Sequence, residues 1–156
     1  MTAAPAGNAL DALGRWELVI WLKTSTYAYP GLEVMHLAGM GLLFGSIFIV
    51  DLRLLGLLGE FDANRLAKHI LPWTLTGFAI AVFAGLSLLL ARMDDMIANP
   101  AFVLKMVLLF AAATNAGVLH ARGALNPLNV WSRLQALLSI AIWLAVITCG
   151  RWIAYV

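Results

Sequence analysis

Residues 31–58 read GLEVMHLAGMGLLFGSIFIVDLRLLGLL. Glu33, His36, Asp51 and Arg53 are the ionisable residues in this stretch, and they lie towards its two ends. Crossing a bilayer takes about 20 helical residues. A run this long and this apolar predicts a transmembrane helix, because only a helix satisfies its own backbone in lipid without neighbours. Three further runs have the same character, at about 72–91, 100–121 and 134–156. Breakers separate them. Tyr29-Pro30-Gly31 precedes the first run and Gly59-Glu60-Phe61-Asp62 follows it. Met93-Asp94-Asp95 and Asn99-Pro100 divide the second from the third, and residues 123–129, with Pro127, divide the third from the fourth. Pro72 and Pro100 are expected in first helical turns, where proline is tolerated. A longer second helix starting near Asp62, a good N-cap, and kinked at Pro72 is the alternative.

Composition agrees with the four spans. Of 156 residues, 63% are hydrophobic and 12% charged, against about a quarter charged in soluble domains. A soluble fold of this size could not hide that much apolar surface, and disorder is excluded on the same ground. The net charge is +2, and ten basic residues scattered along the chain make no nucleic-acid patch. With Cys149 as the one cysteine, neither an internal disulfide nor a cysteine zinc site is available.

Met1 to Asn8 lacks the basic and apolar regions of a signal peptide. Residues 10–21 mix Leu10, Leu13, Trp16, Leu18, Val19 and Ile20 with Asp11, Arg15 and Glu17, the pattern of an amphipathic segment lying on a membrane surface. The expected fold is therefore all-α: an integral membrane four-helix bundle (31–156) with a short N-terminal interfacial amphipathic helix (within 1–30). Four spans put both termini on one face, called A, together with the 94–100 turn. The 59–71 and 122–133 connections lie on face B. Arg15, Lys23, Arg92, Lys105 and Arg151 belong to A, and Arg53, Arg65, Lys68, Arg122 and Arg133 to B. The counts tie, but on face B most of the charges sit in the connections, which makes B the expected cytoplasmic side. Trp16, Trp21, Tyr27, Tyr29, Trp152 and Tyr155 near A, with Trp73 and Trp131 near B, form interfacial belts.

Gly77, Ala81 and Gly85 recur every four residues in the second span, as do Gly41 and Gly45 in the first. Such spacing lets helix backbones approach closely. Packing within one bundle is the expected use, with a homo-oligomer interface as the other.

Ionisable residues in lipid face the bundle interior or water. At about 100° per residue, Glu33 and Asp51 lie roughly 60° from His36, which places all three on one inward face. Asp51 is about 22 Å further along than His36. In the third span Lys105 and His120 lie about 60° apart on one face, and Asn115 between them needs a hydrogen-bond partner. In the fourth, Arg133 and Arg151 are about five full turns apart and mark the ends of one face.

The histidines carry the sharpest signal. His69 and His120 both lie at face B, where antiparallel neighbours could present them to one ligand, whereas His36 stands at face A. Histidines near the ends of bundle helices are a usual way to hold haem b in a membrane. The propionates would need cations: Arg53, Arg65 and Arg133 at B, Lys105 and Arg151 at A. Gly39 and Gly117 would give the macrocycle room. On this reading His69 and His120 bracket one haem, and His36 ligates a second whose sixth position is open or filled by Met40. The plainer role for each histidine is an interfacial hydrogen-bond donor. Copper is the other metal option, since His36 with Met35, Met40, Met93 and Met96 gives the soft thioether and imidazole set that suits Cu(I), although methionine also serves as ordinary packing. Nucleophile-elbow, Walker and HExxH patterns are absent. A proton or ion carrier would use Glu33, Asp51, Lys105 and Asn115.

Several local patterns resemble a bacterial family of small, uncharacterised four-helix membrane proteins. They are Glu33-x-x-His36 with Asp51-Leu-Arg-Leu-Leu-Gly56, Leu71-Pro-Trp-Thr74 with Gly77, Asn99-Pro-Ala-Phe102 with Lys105, Asn115 to His120, and the terminal Gly150-Arg-Trp-Ile-Ala-Tyr155. The resemblance implies the four-helix fold and an inner-membrane location. It includes His36 and His120 but not His69, which favours two separate sites. The expected function is a haem b protein that carries electrons, in the manner of a quinone-linked membrane oxidoreductase. Trp73, Asp51 or Arg53 are the expected quinone contacts. A copper protein, a cofactor-free solute or proton carrier and a membrane scaffold are the alternatives.

Overall fold

The computed structural model describes residues 17–121 and 129–155, and every regular element among them is helical. The elements are α1 (Glu17–Thr24), α2 (Ala28–Leu55), α3 (Ala63–Ala91), the short α4 (Met93–Ile97), α5 (Pro100–Ala121) and α6 (Val130–Trp152). Four of them, α2, α3, α5 and α6, are long and apolar enough to cross a membrane. Exposed side chains such as Leu37, Phe78, Phe83, Val107, Phe110 and Leu144 cover the outside of the bundle. A surface of that kind is stable in lipid and not in water. The chain is a multi-pass membrane protein.

The helix ends differ from the expected spans for local reasons. Pro30 lies inside the first turn of α2, where its missing N–H is not needed, and Gly31 N–H already bonds the Tyr27 carbonyl at 3.0 Å. At the other end Gly56 adopts φ 96°, a backbone that only glycine takes without strain. Its N–H bonds the Arg53 carbonyl and the Leu57 N–H bonds the Leu52 carbonyl, each at 3.1 Å. That pair of bonds is a Schellman stop, and it ends α2 three residues before the expected boundary. The second span begins at its alternative start. The Asp62 carboxylate accepts from Arg65 N–H at 2.9 Å, and α3 runs on through Pro72. Pro72 is thus an interior proline and not a first-turn one. Pro100 does open α5, and the Asn99 side chain caps it by accepting from Ala101 N–H at 2.9 Å and Phe102 N–H at 3.2 Å. Asn129 caps α6 by accepting from Ser132 N–H at 2.9 Å, and the helix opens at Val130, four residues before the expected start. Within α1, Val19 and Leu22 are buried while Ile20 and Trp21 are exposed, the two-faced character the sequence predicts. Residues 10–16 of the expected amphipathic segment lie outside the described residues, as do Arg122 and Pro127.

At the centre of the packing is α2. Its most extensive partner is α3, then α5 pairs with α6, and α6 with α2. The α2–α3 seam is closed by glycines. A Cβ on Gly77 would stand 2.5 Å from the Leu43 nitrogen, and one on Gly39 would stand 2.7 Å from the Ala81 nitrogen. Backbone-to-backbone contact of this kind is what small residues permit between membrane helices. Gly41 and Gly45 are different: a Cβ on either meets nothing within 4 Å. The small-residue pattern of the second span is therefore used inside the bundle, and the Gly41–Gly45 pair is not. Beside this seam, Leu43, Ala112, Ile142, Trp143 and Val146 form the main apolar core. A smaller core of Leu54, Leu119 and Ala136 lies nearer face B.

Candidate functional site

Among the described residues, two interior places carry an ionisable side chain from the expected site, apart from the Thr74 hydroxyl that donates to Ser46 Oγ at 2.8 Å across the α2–α3 seam. The first is at His36. Its Nδ1 lies 2.8 Å from the Ala81 carbonyl oxygen of α3. A carbonyl only accepts, so Nδ1 donates, and in the neutral ring the lone pair is then on Nε2. The ring rests on Gly85, where a Cβ would come within 2.9 Å of Cε1 and 3.1 Å of Nδ1. One turn of α3 thus supplies both the carbonyl that orients the imidazole and the gap that admits it. Lys105 of α5 interacts electrostatically with His36 and with Cys149 of α6. Its Nζ lies 3.5 Å from the point a Gly150 Cβ would occupy. His36 thus sits in the α2–α3 seam, and Lys105 lies against α6.

The second place is at Asp51, 3% exposed. Its carboxylate is hydrogen-bonded with Ser139 of α6, and its Oδ2 is buried without a partner. Gln135, one turn before Ser139, has a buried Oε1 that also lacks a partner. The Gln135 backbone carbonyl accepts from Asn115 Nδ2 at 3.1 Å, the partner that Asn115 was expected to need. The shared inward face of α2 holds for His36 and Asp51. Glu33, expected on the same face, is exposed instead, because it stands in the second turn of α2, close to the interface.

The other histidines lie apart. His69 is exposed on α3, with Nδ1 2.8 Å from the Arg65 carbonyl. His120 is exposed on α5, with Nδ1 2.9 Å from the Ala116 carbonyl. Each bond runs to a carbonyl one turn back on its own helix, and α3 and α5 are not among the packed helix pairs. The structure does not bring His69 and His120 together. Arg53 donates through Nε to the Phe61 carbonyl of the α2–α3 turn. Arg133 is exposed near Gly56. Arg151 donates to the Tyr155 hydroxyl at 2.7 Å and lies 5.1 Å above that ring. Met40 packs against the main core, while Met93 and Met96 belong to α4. Among the described residues, no group of three or more His, Cys, Asp and Glu is placed to hold a metal ion. Trp73 is exposed and lines a shallow apolar groove of about 220 Å³ with Gly41, Leu42, Gly45, Ser46, Ile49 and Ile70. Of the alternative quinone contacts Trp73, Asp51 and Arg53, Trp73 lines that groove.

A family of unknown function, DUF6644, matches residues 20–156. The chain belongs to that family. No curated protein and no solved structure matches it. The DUF6644 match takes in all four long helices and all three histidines. Neither the seat of His36 on Gly85 nor the approach of Ser139 to Asp51 was foreseen. Gly85 reads as a packing glycine.

Proposed function

We propose that this DUF6644 protein is a haem b-binding protein of the bacterial inner membrane that carries electrons, with quinone as its partner and His36 as the axial ligand. The observation that carries the reading is the state of His36. A ligating histidine characteristically donates its second ring nitrogen to a carbonyl or carboxylate, which fixes the tautomer and aims the other nitrogen. His36 has that arrangement across a helix–helix seam, through the 2.8 Å contact of Nδ1 with Ala81. It is also the half-buried histidine of the three. Lys105, electrostatically coupled to His36, suits a propionate at the same level, with Arg151 as the outer cation. Haem bound there would supply a one-electron couple. The protein's share is to orient the imidazole, screen it from water and balance charge.

His120 and His69, exposed at the far ends of their helices, would serve as ligands only where another helix or a second copy covers them. The open Gly41–Gly45 strip, with nothing within 4 Å of either Cβ position, offers one route for a second copy to approach. The test is a dithionite-reduced minus oxidised spectrum of purified protein expressed with ample haem, with metal analysis on the same sample. A sharp low-spin α band with stoichiometric iron is the expected result. A featureless spectrum ends the haem reading, and copper without iron would move the site to the His36–methionine set.

A further inference from the structure

We propose that the groove beside the α2–α3 seam seats one acyl chain of an anionic phospholipid from the face-B leaflet, with the phosphate held by Arg53 and Arg65. The proposal does not rest on the haem reading. The groove encloses about 220 Å³ between Leu42 and Ile49 of α2 and Ile70 and Trp73 of α3. Gly41 and Gly45 line it too, and a Cβ on either would meet nothing within 4 Å. The hydroxyl in its lining, Ser46, is already used. It donates to the Leu43 carbonyl at 2.8 Å and accepts from Thr74 at 2.8 Å. What the groove offers is hydrocarbon contact.

Its length and depth fit a lipid chain. Gly41 to Ile49 is about 12 Å along the helix, and the hydrocarbon core is about 30 Å thick. The groove therefore covers most of one leaflet. Gly41 is at the middle of α2 (Ala28–Leu55), and Ile70 and Trp73 lie in the face-B half of α3 (Ala63–Ala91), so the leaflet is that of face B.

Beyond its face-B end the same flanks turn basic. Arg53 is two turns past Ser46 and within about 20° of it round α2. Its Nε donates to the Phe61 carbonyl of the α2–α3 turn, and its Nη1 is buried without a partner. Asp51 lies about 160° away round α2, bonded with Ser139 of α6. On α3, His69 and Arg65 stand one and two turns before Trp73, about 40° and 80° round from it, and both are exposed. Asp62 accepts from the Arg65 backbone N–H, and Glu60 is exposed in the turn. Among the described residues the ion pair is Arg92 with Asp95, at face A. Arg53 and Arg65 thus carry charges that no carboxylate pairs. Guanidinium groups bind phosphate through paired hydrogen bonds, and basic groups at the membrane surface attract anionic lipid.

The test is native mass spectrometry of the full-length protein in detergent, titrated with phosphatidylglycerol or with phosphatidylcholine of the same chains. A single lipid adduct is expected, at about tenfold lower concentration for phosphatidylglycerol. Gly41→Leu and Gly45→Leu send a side chain into open space, so the fold is kept and the adduct is lost with both lipids. Arg53→Gln and Arg65→Gln keep the groove and bring the two lipids level. Val107→Leu, on the exposed face of α5, changes neither. An adduct that survives both leucine variants overturns the proposal, as does equal binding of the two lipids by the wild type or no adduct at all. A lipid-free dimer that either leucine variant splits gives the groove to a second copy and overturns it too, and so does a quinone that displaces phosphatidylglycerol at equal concentration.

Discussion

Gly77→Ala is expected to loosen the α2–α3 seam. The new methyl would stand 2.5 Å from the Leu43 nitrogen, 2.9 Å from the Gly39 oxygen and 3.0 Å from the Leu43 Cα. All three are backbone atoms of the facing helix, so no side chain can rotate away and the helices must part. Overpacking of this kind costs about 1–3 kcal/mol. Alanine returns up to about 1 kcal/mol in helix propensity, which leaves a net loss of roughly 0–2 kcal/mol and a difference from a matched control of about 1–3 kcal/mol. Gly41→Ala is the matched control, because it makes the same chemical change on α2 with nothing within 4 Å of the new Cβ. It is expected to be neutral or slightly stabilising. Unfolding in mixed micelles, followed by circular dichroism across a denaturing-detergent titration, measures both. Equal midpoints for the two variants would refute the close approach of α2 and α3 at Gly77, and with it the geometry that seats His36 on Gly85.

Three further substitutions test the structure at other points. Gly85→Ala puts a methyl 2.9 Å from His36 Cε1 and is expected to displace the ring from the Ala81 carbonyl. That would lose a bond of about 1 kcal/mol, readable as an altered ring-nitrogen NMR signature even without a ligand. Asn99→Ala removes the cap of α5 and the 3.2 Å bond from its Nδ2 to the Ile153 carbonyl. A cost of about 1–2 kcal/mol should appear as a lower unfolding midpoint. Gly56→Ala forces a Cβ into φ 96° and should cost about 1–2 kcal/mol in the same assay.

The spans were legible because bilayer thickness fixes the length of an apolar run, and composition alone says the solvent is lipid. Boundaries were less so. The start of α3 depends on the Asp62 cap outweighing Pro72, and the end of α2 on the Gly56 stop, both local choices that an apolar run does not register. The interior was half legible. Helical phase correctly put His36 and Asp51 on one inward face, yet the same arithmetic placed Glu33 there too, because phase carries no information about depth. Pairing His69 with His120 assumed that α3 and α5 are neighbours. The order of helices around α2 is set by glycine contacts that no single helix reveals. Gly85 as the seat of His36 follows from the register of two helices, so a sequence reading sees only a small residue.

The central claim is that His36 holds haem. The most direct measurement is the haem-to-protein ratio, by pyridine haemochrome, of the wild type beside His36→Ala and His69→Ala, each purified folded from haem-supplemented cells. The account predicts stoichiometric haem in the wild type and in His69→Ala, and its loss in His36→Ala. Haem retained at the wild-type ratio in His36→Ala, or absent from the wild type, would contradict it.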